Sequence, residues 1–275
     1  MASTVLITGC SSGIGAAAVR HFAAQGWNVA ATLRNPAQAH FEHGAGRVEA
    51  LALDVTDQHS VNAAVQQVQA RLGPIEVLIN NAGYGLFGPF ETATPEAIER
   101  QMRTNVDGVF AVIRAALPAM RERRRGVIIN VASLSGLVGM PLYSLYAASK
   151  FAVVGFSQAL SHELAPLGIR VKVFAPGAVA TDFSGRSLQR TFDGDGGPYA
   201  DSISKALAAF QANRSAGSAM APGQLAQALY GAATDGSAQV LYVTGEDAHA
   251  ILKMRHDIGD EALLAGMRQR FGLAG

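Results

Sequence analysis

The sequence predicts an α/β protein whose single domain, residues 1–275, is built on a doubly wound parallel sheet of about seven strands. Two observations lead to this fold class. Short apolar runs alternate with longer segments of helical period along most of the chain. Several apolar runs are continuous in Val, Ile and Leu instead of alternating with polar residues. Strands buried on both faces have this composition, as in a parallel sheet covered by helices.

The predicted elements follow in regular order. Strands are expected at Thr4–Thr8, Asn28–Leu33, Val48–Leu53, Ile75–Asn80, Val127–Ala132, Ile169–Ala175 and Val240–Thr244. Helices are expected at Ile14–Gln25, Ser60–Leu72, Pro95–Met120, Ser144–Ala165 and Gln224–Ala233. The third helix has the clearest start signal, because Thr94 can cap it and Pro95 suits its first position.

Two segments extend beyond this regular pattern. Residues 184–221 contain an irregular stretch and then a short predicted helix from Tyr199 to about Gln211. Long excursions inside compact domains usually carry function, so we interpret this segment as a substrate lid; a disordered surface loop is the alternative. Residues 245–275 form a C-terminal extension with helical period, which we expect to cover the sheet edge or the substrate cleft.

Composition excludes several classes of protein. The chain has 275 residues with a net charge of +1, so it has no basic field for nucleic acid. Its one cysteine, Cys10, excludes an intramolecular disulfide and a cysteine-rich metal site, and we expect no metal. No signal peptide and no run of about 18 apolar residues is visible. We therefore expect a cytoplasmic protein without a membrane span.

A glycine-rich loop, Thr8-Gly9-Cys10-Ser11-Ser12-Gly13-Ile14-Gly15, joins the first predicted strand to the first helix. Glycines permit a tight turn and a close approach to a pyrophosphate, and the helix N-terminus offers free N–H groups. The position indicates a dinucleotide site. The spacing differs from the commoner Gly-x-Gly-x-x-Gly, and any tight strand–helix turn can contain such glycines.

The end of the second predicted strand bears on the choice of cofactor. Enzymes that use NAD usually place Asp or Glu there for the ribose 2′-hydroxyl. This chain has Thr32-Leu33-Arg34-Asn35 and no acid. Arg34 could bind the 2′-phosphate of NADP(H), which predicts a preference for NADP(H) over NAD(H); a solvated arginine is the alternative.

Polar residues also follow the third and fourth predicted strands. Asp54 could accept a hydrogen bond from the adenine amino group, or it could cap a turn. Asn80 and Asn81, in Asn80-Asn81-Ala82-Gly83, could fix the backbone of the loop or touch the cofactor. The sequence leaves both choices open.

Tyr146 and Lys150 form a candidate catalytic pair. Their spacing of four places both side chains on one face of a helix. An ammonium group near a phenol favours the phenolate, which would lower a tyrosine pKa from about 10 toward neutrality. Ser133, directly after the fifth predicted strand, could hold the same substrate oxygen. The alternatives are an ordinary surface pair and a turn cap.

Together these residues resemble the short-chain dehydrogenase/reductase family, from Thr4 to about Thr244. The resemblance implies a Rossmann-type sheet and hydride transfer between NAD(P) and a carbonyl or alcohol carbon. It implies that Tyr146 is the general acid/base, that Ser133 orients the substrate oxygen, and that Asn105 binds a water of a proton relay. Lys150 would hold the nicotinamide ribose and lower the pKa of the tyrosine.

The resemblance and the motifs also give a set of binding residues. The cofactor would be bound by Gly9, Ser11, Ser12, Gly13, Ile14, Arg34, Asp54, Val55, Asn81, Ala82, Gly83, Tyr146, Lys150, Pro176, Gly177, Val179 and Thr181. The substrate would be bound by Leu134, Met140 and Tyr143, which follow Ser133; plain burial in a loop is the alternative for these apolar residues.

A closer likeness is to the 17β-hydroxysteroid and retinol dehydrogenase branch. It is carried by the glycine loop, Ala31-Thr32-Leu33-Arg34, Asn81-Ala82-Gly83-Tyr84-Gly85-Leu86-Phe87-Gly88-Pro89 and Tyr146-Ala147-Ala148-Ser149-Lys150-Phe151-Ala152. That branch suggests a bulky lipophilic ketone or alcohol. Two other functions stay open, namely reduction of a carrier-linked acyl thioester and dinucleotide sensing without turnover. The basic run Arg121–Arg125 weakly favours an acidic carrier partner.

The helix that carries Tyr146 and Lys150 also bears on assembly. Phe151-Ala152-Val153-Val154-Gly155-Phe156 is apolar around the whole helix. A crossover helix has only one face toward the sheet, so the other face needs a second apolar surface. We expect a homodimer built on this helix and Pro95–Met120, with a tetramer as the alternative.

Overall fold

A computed structural model describes residues 2–39, 41, 45–180, 187–215 and 219–274. Its strands are β1 (Thr4–Thr8), β2 (Asn28–Leu33), β3 (Val48–Ala52), β4 (Ile75–Asn80), β5 (Gly85–Phe87), β6 (Gly126–Val131), β7 (Ile169–Pro176), β8 (Leu188–Arg190) and β9 (Leu241–Thr244). Seven of these form one sheet in the order β3-β2-β1-β4-β6-β7-β9, and every neighbouring pair is parallel. The predicted fold class is confirmed.

The helices cover both faces of the sheet. They are α1 (Gly13–Ala24), α2 (Gln58–Leu72), α3 (Pro95–Met102), α4 (Gly108–Arg123), α5 (Ser144–Leu164), α6 (Ala200–Ser215), α7 (Pro222–Thr234) and α8 (Glu246–Arg270). The chain crosses the sheet in one direction from β1 to β3 and in the other from β4 onward. The crevice between the carboxyl ends of β1 and β4 is therefore the switch point at which doubly wound sheets bind ligands.

Burial explains why the strands are continuous apolar runs. Within β1, Leu6 packs on the face covered by α2, α4 and α5, whereas Ile7 packs on the face covered by α1 and α7. Both side chains are completely buried. Successive residues of a strand point to opposite faces, so a sheet covered on both sides needs apolar residues at every position.

The structure differs from the prediction at the third helix. The predicted helix Pro95–Met120 is present as α3 and α4, but a π-helical turn at Arg103–Asp107 joins them and the helix continues to Arg123. The extra residue of a π turn does not disturb the apolar period enough to be read from sequence. Such turns are often found at functional sites.

Two short strands were not predicted. β5 and β8 have three residues each and pair in parallel, apart from the main sheet. Strands of this length are too short to show a period of two. Their pairing attaches the first described part of segment 184–221 to the loop that follows β4.

The predicted lid and the C-terminal extension lie together. Helix α6 follows a 3₁₀ turn at Gly197–Tyr199, close to the predicted start, and Phe210 on it packs against Phe271 with ring centroids 4.9 Å apart. On α8, Leu263 and Met267 pack against the segment after β6. Residues 184–186 and 216–218 lie outside the described residues. None of the helices in the described ranges is long and apolar enough to cross a bilayer.

A buried lysine joins β7, β9 and α7. Lys172 is 1% exposed, and its Nζ donates to the Ala232 carbonyl at 2.8 Å, to Asp235 Oδ1 at 2.6 Å and to the Tyr242 hydroxyl at 2.8 Å. Burial opposes the ionisation of Asp235, but hydrogen bonds from Lys172 and Tyr242 outweigh it and lower the pKa of this carboxyl. The network fixes the last strand of the sheet.

Removing the carboxylate should destabilise the fold. Asp235→Ala leaves the Lys172 charge in the core without its ion-pair partner, so the free energy of unfolding should fall by about 3 kcal/mol in urea titrations at neutral pH. As a control, Asp201→Ala removes the partner of Lys205 in an exposed pair on α6 and should change stability by about 0.5 kcal/mol or less. Equal effects of the two substitutions would contradict this account.

The pH dependence of the difference has a defined sign. The folded pKa of Asp235 is lowered, so its contribution is present above the unfolded pKa of about 3.9 and is lost as the pH falls through the folded value. The gap in stability between the parent and Asp235→Ala should therefore shrink in acid.

Candidate active site

The carboxyl edge of the sheet collects the predicted site residues. Because the main strands are parallel, the segments that follow each of them meet at this edge. The segments are the glycine loop after β1, Arg34 after β2, Asp54 after β3, Asn81 after β4, Ser133 after β6 and the loop 176–180 after β7. The structure therefore brings these residues, each singled out in the sequence, to one edge of the sheet.

The glycine loop has the shape that a phosphate site requires. Gly9 and Gly13 have φ of +72° and +59°, in the left-handed region that favours glycine. A Cβ on Gly9 would lie 2.7 Å from the Ala82 Cα. In the described chain the Ser12 side chain makes no capping hydrogen bond to α1, and the first turn has no acid. The N–H groups at this helix start therefore suit a pyrophosphate.

Asn81 fixes the backbone of the glycine loop. Its Nδ2 donates to the Thr8 carbonyl at 2.9 Å and to the Gly9 carbonyl at 3.1 Å. In return, the Thr8 hydroxyl accepts from the backbone N–H groups of Asn81 and Ala82, each at 3.0 Å. Of the two readings that the sequence left open for Asn81, the structure shows the structural one, which joins the two loops flanking the switch point.

The neighbouring Asn80 has a different partner. Its Nδ2 donates to Asn130 Oδ1 at 2.8 Å, inside the sheet between β4 and β6. This amide pair is buried, and Asn130 Nδ2 in turn donates to Ser157 Oγ at 2.9 Å. Asn80 therefore belongs to the sheet rather than to the site.

The other end of the edge carries Arg34 and Asp54. Asp54 Oδ1 accepts from the backbone N–H of Thr56 at 2.9 Å and from the Thr56 hydroxyl at 2.7 Å, so it caps a turn. Burial raises the pKa of Asp54, but the hydrogen bonds from Thr56 and the charges of Arg34 and Arg103 outweigh it and hold the pKa below its usual value. Arg34 is exposed and lies close enough to Asp54 to act on its charge. An exposed guanidinium here suits a 2′-phosphate.

Val55 lies between this end and the helices. A Cβ added to Gly108, at the start of α4, would be 2.8 Å from the Val55 Cβ. The absence of a side chain at Gly108 lets the segment after β3 approach α4 closely. The segment that carries Asp54 and Val55 therefore lies directly against the start of α4.

Tyr146, Ser133 and Lys150 meet at the start of α5. Tyr146 is buried and shares a hydrogen bond with the Ser133 side chain. The Nζ of Lys150 lies 5.7 Å from the centroid of the Tyr146 ring and donates to the Val131 carbonyl at 2.9 Å. The predicted constellation is therefore assembled by α5 and by the end of β6.

One predicted property of this group is wrong. Lys150 was expected to lower the pKa of Tyr146, but burial raises that pKa to about 12; the Ser133 hydrogen bond offsets part of the effect and Tyr143 adds to it. Lys150 is also buried, and burial lowers the pKa of its ammonium to about 8. Loss of hydration disfavours the charged form of both groups and is the largest cause of each shift.

Asn105 lies in the π turn between α3 and α4 and binds the backbone of Tyr84. Its Oδ1 accepts from the Tyr84 N–H at 3.1 Å, and its Nδ2 donates to the Tyr84 carbonyl at 2.9 Å and to Ser149 Oγ at 3.0 Å. Both Nδ2 protons are thus used within the protein. The side chain acts as a connector, and a relay water would need another group of this residue.

Two functional residues near Asn105 were missed in the sequence. Gln101 Nε2 donates to the same Tyr84 carbonyl at 3.0 Å, and Ser149 Oγ donates to the Tyr146 carbonyl at 2.7 Å. Both side chains are completely buried. The spacing of four between Gln101 and Asn105 is the only signal that could have linked them to one helix face.

Aromatic rings form a wall beside Tyr146. The Tyr143 ring centroid is 5.9 Å from that of Tyr146, 5.1 Å from Phe87 and 5.4 Å from Phe210 of α6. Of the other predicted substrate residues, Leu134 is buried and Met140 packs in the same cluster as Leu134. Phe87 and Phe210 were missed, because they come from segments remote in sequence.

The loop after β7 is fixed on two sides. Gly177 N–H donates to the Thr244 carbonyl of β9 at 2.8 Å, and Val179 forms a parallel bridge with Met220. Pro176 ends β7 beside Thr244. Thr181, which was predicted to contact the cofactor, lies outside the described residues.

The arrangement has two halves. One half offers helix-terminal N–H groups and an arginine along the edge of the sheet, and the other offers a tyrosine and a serine hydroxyl in a buried setting. The donor set fits a phosphate-bearing dinucleotide lying across the switch point, with a proton-donating group at its far end.

Comparison with known proteins agrees with this geometry. The family described as short chain dehydrogenase matches residues 3–191. The chain belongs to the short-chain dehydrogenase family. It is therefore an oxidoreductase of the type that acts on CH–OH or C=O groups, and the resemblance inferred from the sequence is confirmed.

The chain is similar to several members with narrower names. It is 42% identical over 203 residues to 3-ketodihydrosphingosine reductase of Bacteroides thetaiotaomicron, covering 74% of each chain. It is 39% identical over 196 residues to human retinol dehydrogenase 8, covering 67% of this chain and 61% of the relative. A variant of actinorhodin polyketide ketoreductase, solved with NADPH, superposes with a TM-score of 0.75 at 29% identity, covering 88% of this chain and 95% of the other.

Proposed function

We propose that this member of the short-chain dehydrogenase family transfers hydride between NADP(H) and a ketone or secondary alcohol carbon of a bulky lipophilic substrate. The observation that carries the proposal is the buried hydrogen bond between Tyr146 and Ser133, with Lys150 beside the tyrosine ring. The hydroxyl groups of Tyr146 and Ser133 can both hydrogen-bond to one substrate oxygen, and Tyr146 can exchange a proton with it.

Tyr146 and Ser133 have different tasks in the reducing direction. A bound dinucleotide would supply the hydride. Tyr146 gives its proton to the oxygen, and Ser133 stabilises the negative charge that develops there. The Tyr146 hydroxyl is protonated at neutral pH, which the reducing direction requires, and burial raises its pKa to about 12.

Lys150, whose Nζ lies 5.7 Å from the centroid of the Tyr146 ring, supports this proton transfer. Its ammonium is tied to the Val131 carbonyl and lies near Tyr146, so a positive charge there would stabilise the phenolate that remains after the proton leaves. A pKa of about 8 leaves Lys150 mostly charged at neutral pH. We further propose that it holds the nicotinamide ribose, as the family resemblance implies.

The substrate class follows from the wall around Tyr146. The described aromatic side chains beside it are Tyr143 and, in contact with that ring, Phe87 and Phe210. Such a lining favours an apolar substrate with a single oxygen directed at Tyr146 and Ser133. The names of two relatives, a ketodihydrosphingosine reductase and a retinol dehydrogenase, support a ketone or alcohol of this kind.

The preference for NADP(H) rests on Arg34. The residues after β2 include no acid that could bind a ribose 2′-hydroxyl, and an exposed guanidinium lies next to Asp54. The NADPH named with the polyketide ketoreductase structure supports the same cofactor.

A carrier-linked thioester is the second candidate, and the same ketoreductase similarity favours it. The basic run Arg121–Arg125 gives it no support. Arg125 pairs with Glu76 at 2.8 Å and Arg124 donates to the Pro166 carbonyl, between α4 and β6. That position is at the amino edge of the sheet, opposite Ser133. A sensor without turnover has no need of the assembled hydroxyl pair.

Tyr146→Phe should nearly abolish turnover. The change removes one hydroxyl and keeps the ring, so packing and dinucleotide affinity should survive while kcat falls by about 10²–10⁴. The assay follows reduced nicotinamide absorbance during a screen of lipophilic ketones and alcohols. Tyr230→Phe, the same change on α7, should behave like the parent. A kcat for Tyr146→Phe within about threefold of the parent would contradict the assignment.

Arg34→Ala should weaken NADPH far more than NADH. Loss of a charge-assisted hydrogen bond to a phosphate costs about 1.5–3 kcal/mol, which is roughly 10- to 150-fold in affinity. Calorimetric titration measures both dissociation constants. Arg20→Ala on α1, which removes an exposed arginine elsewhere, is the matched control. Equal affinity of the parent for NADPH and NADH would refute the preference.

A homodimer should form on the outer faces of α4 and α5. Phe151 is 44% exposed, and the Phe110 and Phe156 rings pack across the two helices with centroids 4.3 Å apart. Covering this face with a second copy removes apolar area from water. Light scattering at micromolar concentration should give twice the mass of one chain for the parent. The Phe151→Glu variant should give the mass of one chain. A parent mass near that of one chain would refute the interface. A mass near that of four chains would refute only the expectation that assembly stops at the dimer.

A further inference from the structure

Asp247 lies in the first turn of α8 and reaches back to the loop after β7. Its Oδ2 accepts from the backbone N–H of Ala178 at 2.7 Å. Hydrogen bonds to an ionised carboxylate are about twice as strong as neutral ones. The bond therefore joins the start of the C-terminal extension to the loop 176–180, at the nicotinamide end of the proposed dinucleotide site.

Two glycines make room for this carboxylate. A Cβ built on Gly177 or on Gly245 would overlap Asp247 Oδ1. One of these glycines follows β7 and the other follows β9, so the space is shaped from two strand ends. Any larger residue at either position would displace the carboxylate from Ala178.

The second oxygen of Asp247 is buried and unpaired. Oδ1 has no hydrogen-bond partner among the residues that the structure describes. A buried polar atom without a partner costs free energy, which other interactions in the fold must offset. The other carboxylate oxygen, Oδ2, accepts the hydrogen bond from the Ala178 N–H.

The remaining hydrogen bonds of the loop show how the bond between Asp247 and Ala178 helps to orient the backbone of Val179. Gly177 N–H donates to Thr244, while Ala180 N–H donates to the Met220 carbonyl at 2.9 Å and Met220 N–H donates to the Ala178 carbonyl at 3.0 Å. In a parallel bridge of this pattern, the N–H and C=O of Val179 itself face away from Met220. The amides on both sides of Val179 are thus anchored, and its own backbone N–H and C=O point to the side away from Met220.

We propose that Asp247 is a positioning residue, which fixes Ala178 so that the Val179 backbone is held ready for the nicotinamide end of the cofactor. The proposal rests on the proposed function, because it requires that the loop 176–180 meets that end of a dinucleotide. Asp247 touches neither reacting group and acts through the loop.

The test compares a whole dinucleotide with its adenine half. Calorimetry on the full chain gives the affinities for NADPH and for adenosine 2′,5′-bisphosphate, which lacks the nicotinamide. Asp247→Ala should weaken NADPH by about tenfold, the scale of one charge-assisted hydrogen bond, and leave the half-cofactor unchanged. Asp247→Asn keeps an acceptor oxygen and should recover most of the affinity. Glu246→Ala removes an exposed acid from the same turn and should bind both ligands like the parent.

Several results would overturn the proposal. They are an equal loss for NADPH and the half-cofactor, or no loss for either, in a folded Asp247→Ala protein. If that variant fails to fold by circular dichroism, Asp247→Ser, whose side chain is too short to reach Ala178, must show the selective loss while Asp247→Asn does not. A parent that binds neither ligand would contradict the proposed function, and this inference with it.

Discussion

The hydrogen bonds between the Asn105 side chain and the backbone of Tyr84 are the contact on which the geometry of the site depends. They close the π turn between α3 and α4 onto the loop after β4. Through Ser149 the same amide reaches the Tyr146 carbonyl on α5. One side chain thus relates the loop beside the switch point to the helix that carries the proton donor. A buried amide whose two N–H groups and oxygen are all paired holds such a relation rigidly, because each unmade bond would be costly.

Burial then decides the chemistry of the charged groups. The segment after β6 packs against α5, Phe210 of α6 contacts Tyr143 just before α5, and Tyr146 and Lys150 are buried. Each is pushed toward its neutral form, with pKa values of about 12 and 8. In such a place a hydroxyl is a proton donor by default, and a nearby positive charge gains strength from the low dielectric.

The sequence predicted the features that have a local signal. The adjacent apolar residues Leu6 and Ile7 indicate a strand that is covered on both faces. The glycine loop indicates a helix N-terminus that is free to bind phosphate. The spacing of Tyr146 and Lys150 places them on one face of a helix. The sequence could not predict features made by distant segments. Phe210 meets Tyr143 only because α6 packs beside the start of α5, and Asp247 meets Ala178 only because β9 returns beside β7. The pKa of Tyr146 had the wrong predicted sign for the same reason, since burial is a property of the assembled domain.

The central claim is that Tyr146 and Ser133 direct hydride from a nicotinamide to a carbonyl carbon. The most direct test is to incubate the protein with NADPH deuterated at the transferable position and a lipophilic ketone, and to examine the alcohol by mass spectrometry and NMR. The account predicts one deuterium on the carbinol carbon, formed by the parent and nearly absent with Ser133→Ala. An alcohol without deuterium, or no alcohol from any ketone that the protein binds together with NADPH, would contradict it.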